Sequence, residues 1–200
     1  DGTCSIPCPV GIDTGKAMKQ LRSAQATGTE RRVARQIAGH YASVEKLGRT
    51  GVAGVNVMGP KLANAAAQAG RALVSPERLP SVPGEMPDPA PKLPETKREG
   101  AAAVYFPACV NRIFGRAHGT AGLDTPHAIV ELGRRSGAPV WIPEDLEGSC
   151  CGMPFSSKGF DAAYRDKAAE MLEHLWQWSN HGELPVVVDA ASPESSAVVP

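Results

Sequence analysis

Several features are scarce in this 200-residue chain, and each scarcity removes a class of function. There is no excess of charge: 21 basic residues balance 21 acidic ones. Long-range attraction to nucleic acid or to an anionic membrane is therefore not expected, and no nucleic-acid partner is predicted. Aromatic residues make up only 5%, too few for a base-stacking platform. No apolar run approaches the roughly 18 residues needed to span a bilayer. A secretory leader is lacking too, since the chain starts Asp1-Gly2-Thr3-Cys4 without a methionine or a basic n-region. Such a start predicts a piece excised or truncated from a longer protein.

Cysteine is sparse but pointedly placed, at Cys4, Cys8, Cys109, Cys150 and Cys151. An odd count without a secretion signal argues against a disulfide framework and for thiolates serving as ligands in a reducing compartment. Taken alone, Cys109 reads equally well as a small buried apolar residue. The pairs at 4/8 and 150/151 do not. Gly148-Ser149-Cys150-Cys151-Gly152-Met153-Pro154 sets adjacent thiols between glycines in a loop, an arrangement suited to a metal cluster.

Cys4-Ser5-Ile6-Pro7-Cys8-Pro9 matches the end of the ferredoxin run C-x2-C-x2-C-x3-C-P, whose thiolates hold a [4Fe–4S] cluster. Its earlier ligands would precede Asp1. Asp13 or Thr14 can cap a helix beginning near Gly15 and running through Met18 and Leu21. Thr29 can cap a longer one, with Val33, Ile37, Tyr41, Val44 and Leu47 as its apolar stripe. A third helix is expected from Val52 to Leu73. Gly51, Gly54 and Gly59 follow no strand, so they make no dinucleotide fingerprint. Residues 1–75 thus read as a helical, ferredoxin-like segment truncated at its start.

Seven prolines fall between Pro76 and Pro94; they exclude helix and central strand, and residues 76–100 read as a linker. The pattern then changes. Ala102 to Phe106, Pro139 to Pro143 and Leu184 to Asp189 read as buried strands. Between them, helices are expected from Thr125-Pro126 to Gly137, burying Ile129, Val130 and Leu132, and from Asp161 to Asn180. Strand, helix, strand, helix, strand predicts an α/β domain over 101–200, with a parallel, Rossmann-like sheet and right-handed crossovers. Ligands in such sheets sit outside the carboxyl ends of the strands. Cys109 and the Cys150/Cys151 pair both follow strands, so they should converge on one edge.

Thiolates suit iron–sulfur clusters and zinc. Zinc favours four ligands at C-x2-C spacings, which three cysteines here do not offer, and neither His118 nor His127 lies where a strand end would place a ligand. Arg112 and Lys158 are near enough in sequence to activate a nucleophilic thiol. A Cys150–Cys151 disulfide is disfavoured by its geometry.

Val104-Tyr105-Phe106-Pro107-Ala108-Cys109-Val110-Asn111-Arg112, followed by Gly148-Ser149-Cys150-Cys151-Gly152-Met153-Pro154, resembles the cysteine-rich "CCG" domain. That domain occurs in the cysteine-rich subunit of heterodisulfide reductase, in the iron–sulfur subunits of glycolate oxidase and anaerobic glycerol-3-phosphate dehydrogenase, and in lactate-utilisation proteins. Together with Cys4-x3-Cys8-Pro9, the chain from Cys4 to about Asp189 is most similar to the C-terminal region of large FAD-linked D-lactate dehydrogenases. The resemblance implies electron transfer from an upstream flavin domain, carrying FAD, through iron–sulfur centres to a quinone or cytochrome acceptor. It implies Cys4 and Cys8 as ligands of a ferredoxin-type 4Fe-4S cluster, and Cys109, Cys150 and Cys151 as the second set of cluster or redox ligands. It further implies a cytoplasmic protein, free or peripheral on the inner face of the cell membrane. Relatives carry a cysteine shortly after the third strand, where this chain reads Asp189-Ala190-Ala191-Ser192, so the second cluster is expected to be short of a ligand. Two other readings stay open: a separate heterodisulfide-reductase-like or glycolate-oxidase-like subunit, and a redox-inactive interaction or zinc-binding module.

Overall fold

A computed structural model describes residue 9 and residues 11–73 and 86–189. The chain is mixed: four helices lead into a second half built around a small parallel sheet, with eight helices among the described residues. None of the described helices is long and apolar enough to cross a membrane.

Helix α1 (Thr14–Gln25) starts where Asp13 accepts a hydrogen bond from the Lys16 amide at 2.9 Å. Helix α2 (Gly28–Gly39) opens on a capping box in which Thr27 and Glu30 satisfy each other's backbone amides. The continuous helix expected from Thr29 breaks at His40, whose backbone is not helical (φ −119°, ψ 33°), and α3 (Tyr41–Met58) begins after it. Of the expected stripe, Tyr41 is buried and Val44 packs partly buried against the core. Val33, Ile37 and Leu47 are exposed, whereas Ala34, Ala38, Tyr41, Glu45 and Val52 are buried. At Ala34 and Ala38 the small side chains turn inward, where they pack with Cys150, Phe155 and Ala163. Gly59 ends α3, and α4 (Pro60–Leu73) follows with proline in its first turn. The helix expected from Val52 to Leu73 is therefore split in two.

In the second half, β1 (Ala103–Phe106) lies between β2 (Val140–Trp141) and β3 (Val186–Val188), parallel to both. Every residue of β1 is buried, as expected of a central parallel strand covered on both faces. Helix α5 (Cys109–Ile113) leaves its end. Helix α6 (Thr125–Arg135) carries proline in its first turn, with Asp124 rather than Thr125 at the cap. Ile129 and Val130 pack on the core, but Leu132, expected inside, is exposed. Helices α7 (Met153–Ser157) and α8 (Asp161–Trp178) follow the β2 loop. The core joins Val104, Tyr105, Phe106, Trp141, Ile142, Leu146, Met171 and Trp178, with Trp178 stacked on Phe106 at 6.2 Å.

The first half of the proline-rich stretch falls outside the described residues. From Met86 onward it lies along the α/β half. The Ala90 amide donates to Ile113, Asp88 exchanges backbone hydrogen bonds with Gly115 and Arg116, and the Ile142 amide donates to Thr96 Oγ1 at 2.7 Å. The two halves also share a core: Ala34, Ala38 and Tyr41 pack with Cys150, Phe155 and Ala163. Helix α1 itself buries no residue. It is held instead by Arg22 Nη1 donating to the Ser157 carbonyl at 2.6 Å and by Ser23 Oγ donating to Asp161 at 2.7 Å.

Candidate functional site

Cys109 begins α5, just beyond the end of β1, and Cys150 and Cys151 sit in the loop after β2. Since β1 and β2 are parallel neighbours, both loops leave the same edge of the sheet. The expected convergence is seen: Cys109 packs against the cluster that contains Cys150 and Tyr41. Cys150 is buried, Cys109 half-buried and Cys151 exposed, and all three are free thiols. Cys4 and Cys8 lie outside the described residues.

The loop geometry follows from its glycines. Gly152 has φ +79°, which disfavours any L side chain, and an added Cβ would lie 2.9 Å from the Tyr164 ring. Its amide instead turns back to donate to Cys150 Sγ at 3.4 Å. On the other loop, Ala108 precedes α5, and its amide donates to Asp189 Oδ1 at 2.7 Å. Asp189 Oδ2 accepts from the Tyr105 hydroxyl at 2.6 Å. The carboxylate just past β3 thus fastens the Cys109 turn to the sheet.

Two charged residues join the loops beneath the thiols. Arg112 is buried and donates Nη1 to the Leu146 carbonyl at 2.7 Å and Nη2 to the Ser149 carbonyl. It faces Glu45 of α3, Nη2 to Oε1, at 2.5 Å. The pair is close but poorly aligned: Glu45 Oε1 accepts no hydrogen bond, and Arg112 Nε is buried without a partner. Burial pushes the Glu45 carboxyl up despite Arg112. Lys167, also buried, donates to the Gly148 carbonyl at 3.1 Å and to Glu170 at 2.8 Å, and its Nζ lies 5.9 Å from the centre of the Tyr41 ring.

The thiols differ sharply in acidity. Hydrogen bonding from Cys150 lowers Cys109 to about 6, helped by the Tyr41 hydroxyl and the Arg112 guanidinium and opposed by burial. Cys151 is likewise lowered to about 6, first by Cys150 and then, against burial, by the Met153 amide. Cys150 is pushed well up because its proton serves both neighbours and its surroundings are dry. Tyr41 is pushed up mainly by burial and next by hydrogen bonding to Cys109. The shifts run in opposite directions: Cys150 keeps its proton more tightly while Cys109 and Cys151 release theirs more readily, with the Tyr41 phenol as a further donor. Even so, among the described residues no group of three or more His, Cys, Asp or Glu side chains is gathered closely enough to hold a metal ion.

Five contributors escape sequence reasoning. Tyr41 reads there as one member of an apolar stripe, Glu45 and Lys167 do not stand out, Arg112 is only a nearby charge, and Asp189 only the end of a strand. The available signal is a glutamate four residues beyond Tyr41, on the same helical face, in a chain with an arginine three residues beyond Cys109. His118 and His127 stand apart, bonded to Asp88 and Asp124, and Lys158 is exposed. Comparison of the chain with protein-family models, curated proteins and solved structures finds no match.

Proposed function

We propose that this chain is the electron-transfer portion of an FAD-linked D-lactate or 2-hydroxy-acid dehydrogenase, holding an iron–sulfur centre at the thiol site. Electrons would pass from a flavin domain towards a quinone or cytochrome acceptor, in a cytoplasmic protein free or peripheral on the inner membrane face. The observation that carries the reading is the meeting of Cys109, Cys150 and Cys151 at the carboxyl edge of a parallel sheet, two of them lowered to about 6. Thiolate is the form that binds iron. The central position of β1 also supports a Rossmann-like ancestry for the sheet, and the capped helices before it suit a helical ferredoxin segment.

Cys109, Cys150 and Cys151 are the candidate ligands, but as they stand they are not gathered closely enough to hold a metal ion, and a cubane would lack a fourth ligand among the described residues. Asp189 is a poor fourth ligand, because its carboxylate is engaged by Tyr105 and Ala108. When bound, such a centre supplies one-electron transfer. The chain's own residues exclude water from Cys150, place a cation beside Cys109 through Arg112, and aim the Tyr41 hydroxyl at the sulfurs. Hydrogen bonds to sulfur and burial are what tune such potentials.

The test is anaerobic reconstitution of a chain extended upstream of Asp1, with iron and sulfide analysis. Bound iron that falls on Cys109→Ser or Cys151→Ser is expected, and iron-free protein sinks the reading. A second reading, a zinc-binding or redox-inactive interaction module, is favoured by the sequence after β3, Asp189-Ala190-Ala191-Ser192, which offers no cysteine. Zinc bound at the three cysteines in a crystal would promote it.

A further inference from the structure

The three thiols need not all act together when no metal is present. Cys109 and Cys150 belong to one packed cluster although they come from different loops. Cys151 is exposed while Cys150, its neighbour in sequence, is buried, so the two side chains face different surroundings. A bond between them would also strain the vicinal backbone. Cys150 is hydrogen-bonded with both Cys109 and Cys151, whereas Cys109 and Cys151 act on each other only through charge. Of the two pairs in contact, only Cys109 and Cys150 are non-vicinal and come from separate loops.

We propose that, in the metal-free chain, Cys109 and Cys150 form an oxidisable dithiol that a hydroperoxide closes into an intramolecular disulfide, leaving Cys151 reduced. Cys109 is the half-exposed member, so it meets the oxidant. Its sulfur attacks the terminal peroxide oxygen; an S–O bond forms, the O–O bond breaks, and the alkoxide or hydroxide leaves with a proton from solvent. Cys150 then attacks the Cys109 sulfenic sulfur. The S–S bond forms, the S–O bond breaks, and the oxygen departs as water with the Cys150 proton. Two thiols lose two electrons, and one hydroperoxide is reduced to an alcohol, or to water, together with one further water. The product consumes two sulfurs that the iron reading needs as ligands, so disulfide and cluster exclude each other. The proposal concerns the metal-free protein and does not depend on iron ever binding.

The experiment uses the whole chain, stripped of metal with a chelator, reduced, freed of reductant and given one equivalent of hydrogen peroxide. Remaining thiols are alkylated, and the unreduced digest is mapped by mass spectrometry. A Cys109–Cys150 linked peptide as the main crosslink, with Cys151 alkylated, is expected. The same treatment in concentrated urea should scatter the pairings, which shows that the fold selects the pair. The idea is overturned by a main crosslink through Cys4, Cys8 or Cys151, by a dimer joined between chains, or by sulfinic acid at Cys109 without a crosslink. The map of the unmutated chain decides this by itself, so no result depends on whether a buried-cysteine variant folds.

Discussion

Replacing Arg112 with alanine is the perturbation whose cost the structure defines most closely. The guanidinium holds the Leu146 carbonyl at 2.7 Å, the Ser149 carbonyl, and Glu45 at 2.5 Å, and lies 5.7 Å from the centre of the Phe106 ring. Truncation strands a buried carboxylate and frees the two carbonyls that fix the thiol loop. Removing one partner of a buried ion pair costs about 3–5 kcal/mol, which for a domain of this size lowers the melting temperature by roughly 10 °C. The loss depends on pH with a definite sign. Glu45 has a raised folded pKa, so the native state holds its proton more tightly than the unfolded chain. That contribution is present below the folded pKa and disappears as pH rises through it. Without Arg112 the carboxyl rises further, so the gap between Arg112→Ala and the parent should widen from about pH 5 to about pH 8. Urea unfolding at both pH values, with m unchanged, measures it. A cycle with Glu45→Gln should give a coupling of about 1 kcal/mol or more. A loss at the higher pH under about 1 kcal/mol, or strict additivity with Glu45→Gln, would refute the reasoning.

Two other outcomes follow from the same contacts. Gly159 has φ +79°, and an added Cβ would lie 2.4 Å from the Ser23 amide nitrogen; Gly159→Ala should therefore push α1 away while leaving the sheet folded. Limited proteolysis should then cut within residues 14–25, and an unchanged digest would count against this docking. Because Cys109 and Cys151 are lowered to about 6, their alkylation should reach half its maximal rate near that pH and be almost complete by neutrality. Tyr41→Phe should move the Cys109 midpoint upward without moving that of Cys151, and Cys150 should react only on unfolding; equal midpoints near the ordinary thiol value for all three would be the contrary result.

The sheet and its carboxyl-edge site are legible in the sequence because short apolar runs separated by helices with proline and glycine punctuation leave few topologies. Thr125-Pro126 marks the start of α6 to within one residue, although the cap falls to Asp124. The helical half is less legible. A stripe of Val33, Ile37, Tyr41, Val44 and Leu47 looks like a core face, but the helix breaks at His40, and while Tyr41 and Val44 face the core, the rest of the burial goes to Ala34, Ala38 and Glu45. Periodicity reports the face of one helix, not where one helix ends and the next begins. Arg112 and Asp189 escape for a different reason: their partners are backbone groups on loops distant in sequence, and no local pattern announces such a contact.

The site needs three separate stretches at once: the helix carrying Tyr41 and Glu45, the turn carrying Cys109, and the loop carrying Cys150. Such pairings are non-local, and the chain must meet their loop-closure entropy before they return any stabilisation. During folding, then, Cys109 stays apart from the Cys150/Cys151 pair until β1 has paired with β2 and α3 has docked. An unfolded or newly made chain offers Cys109 apart from the vicinal Cys150/Cys151 pair, which makes assembly of any group that needs all three a late event, a record that both halves have already found each other.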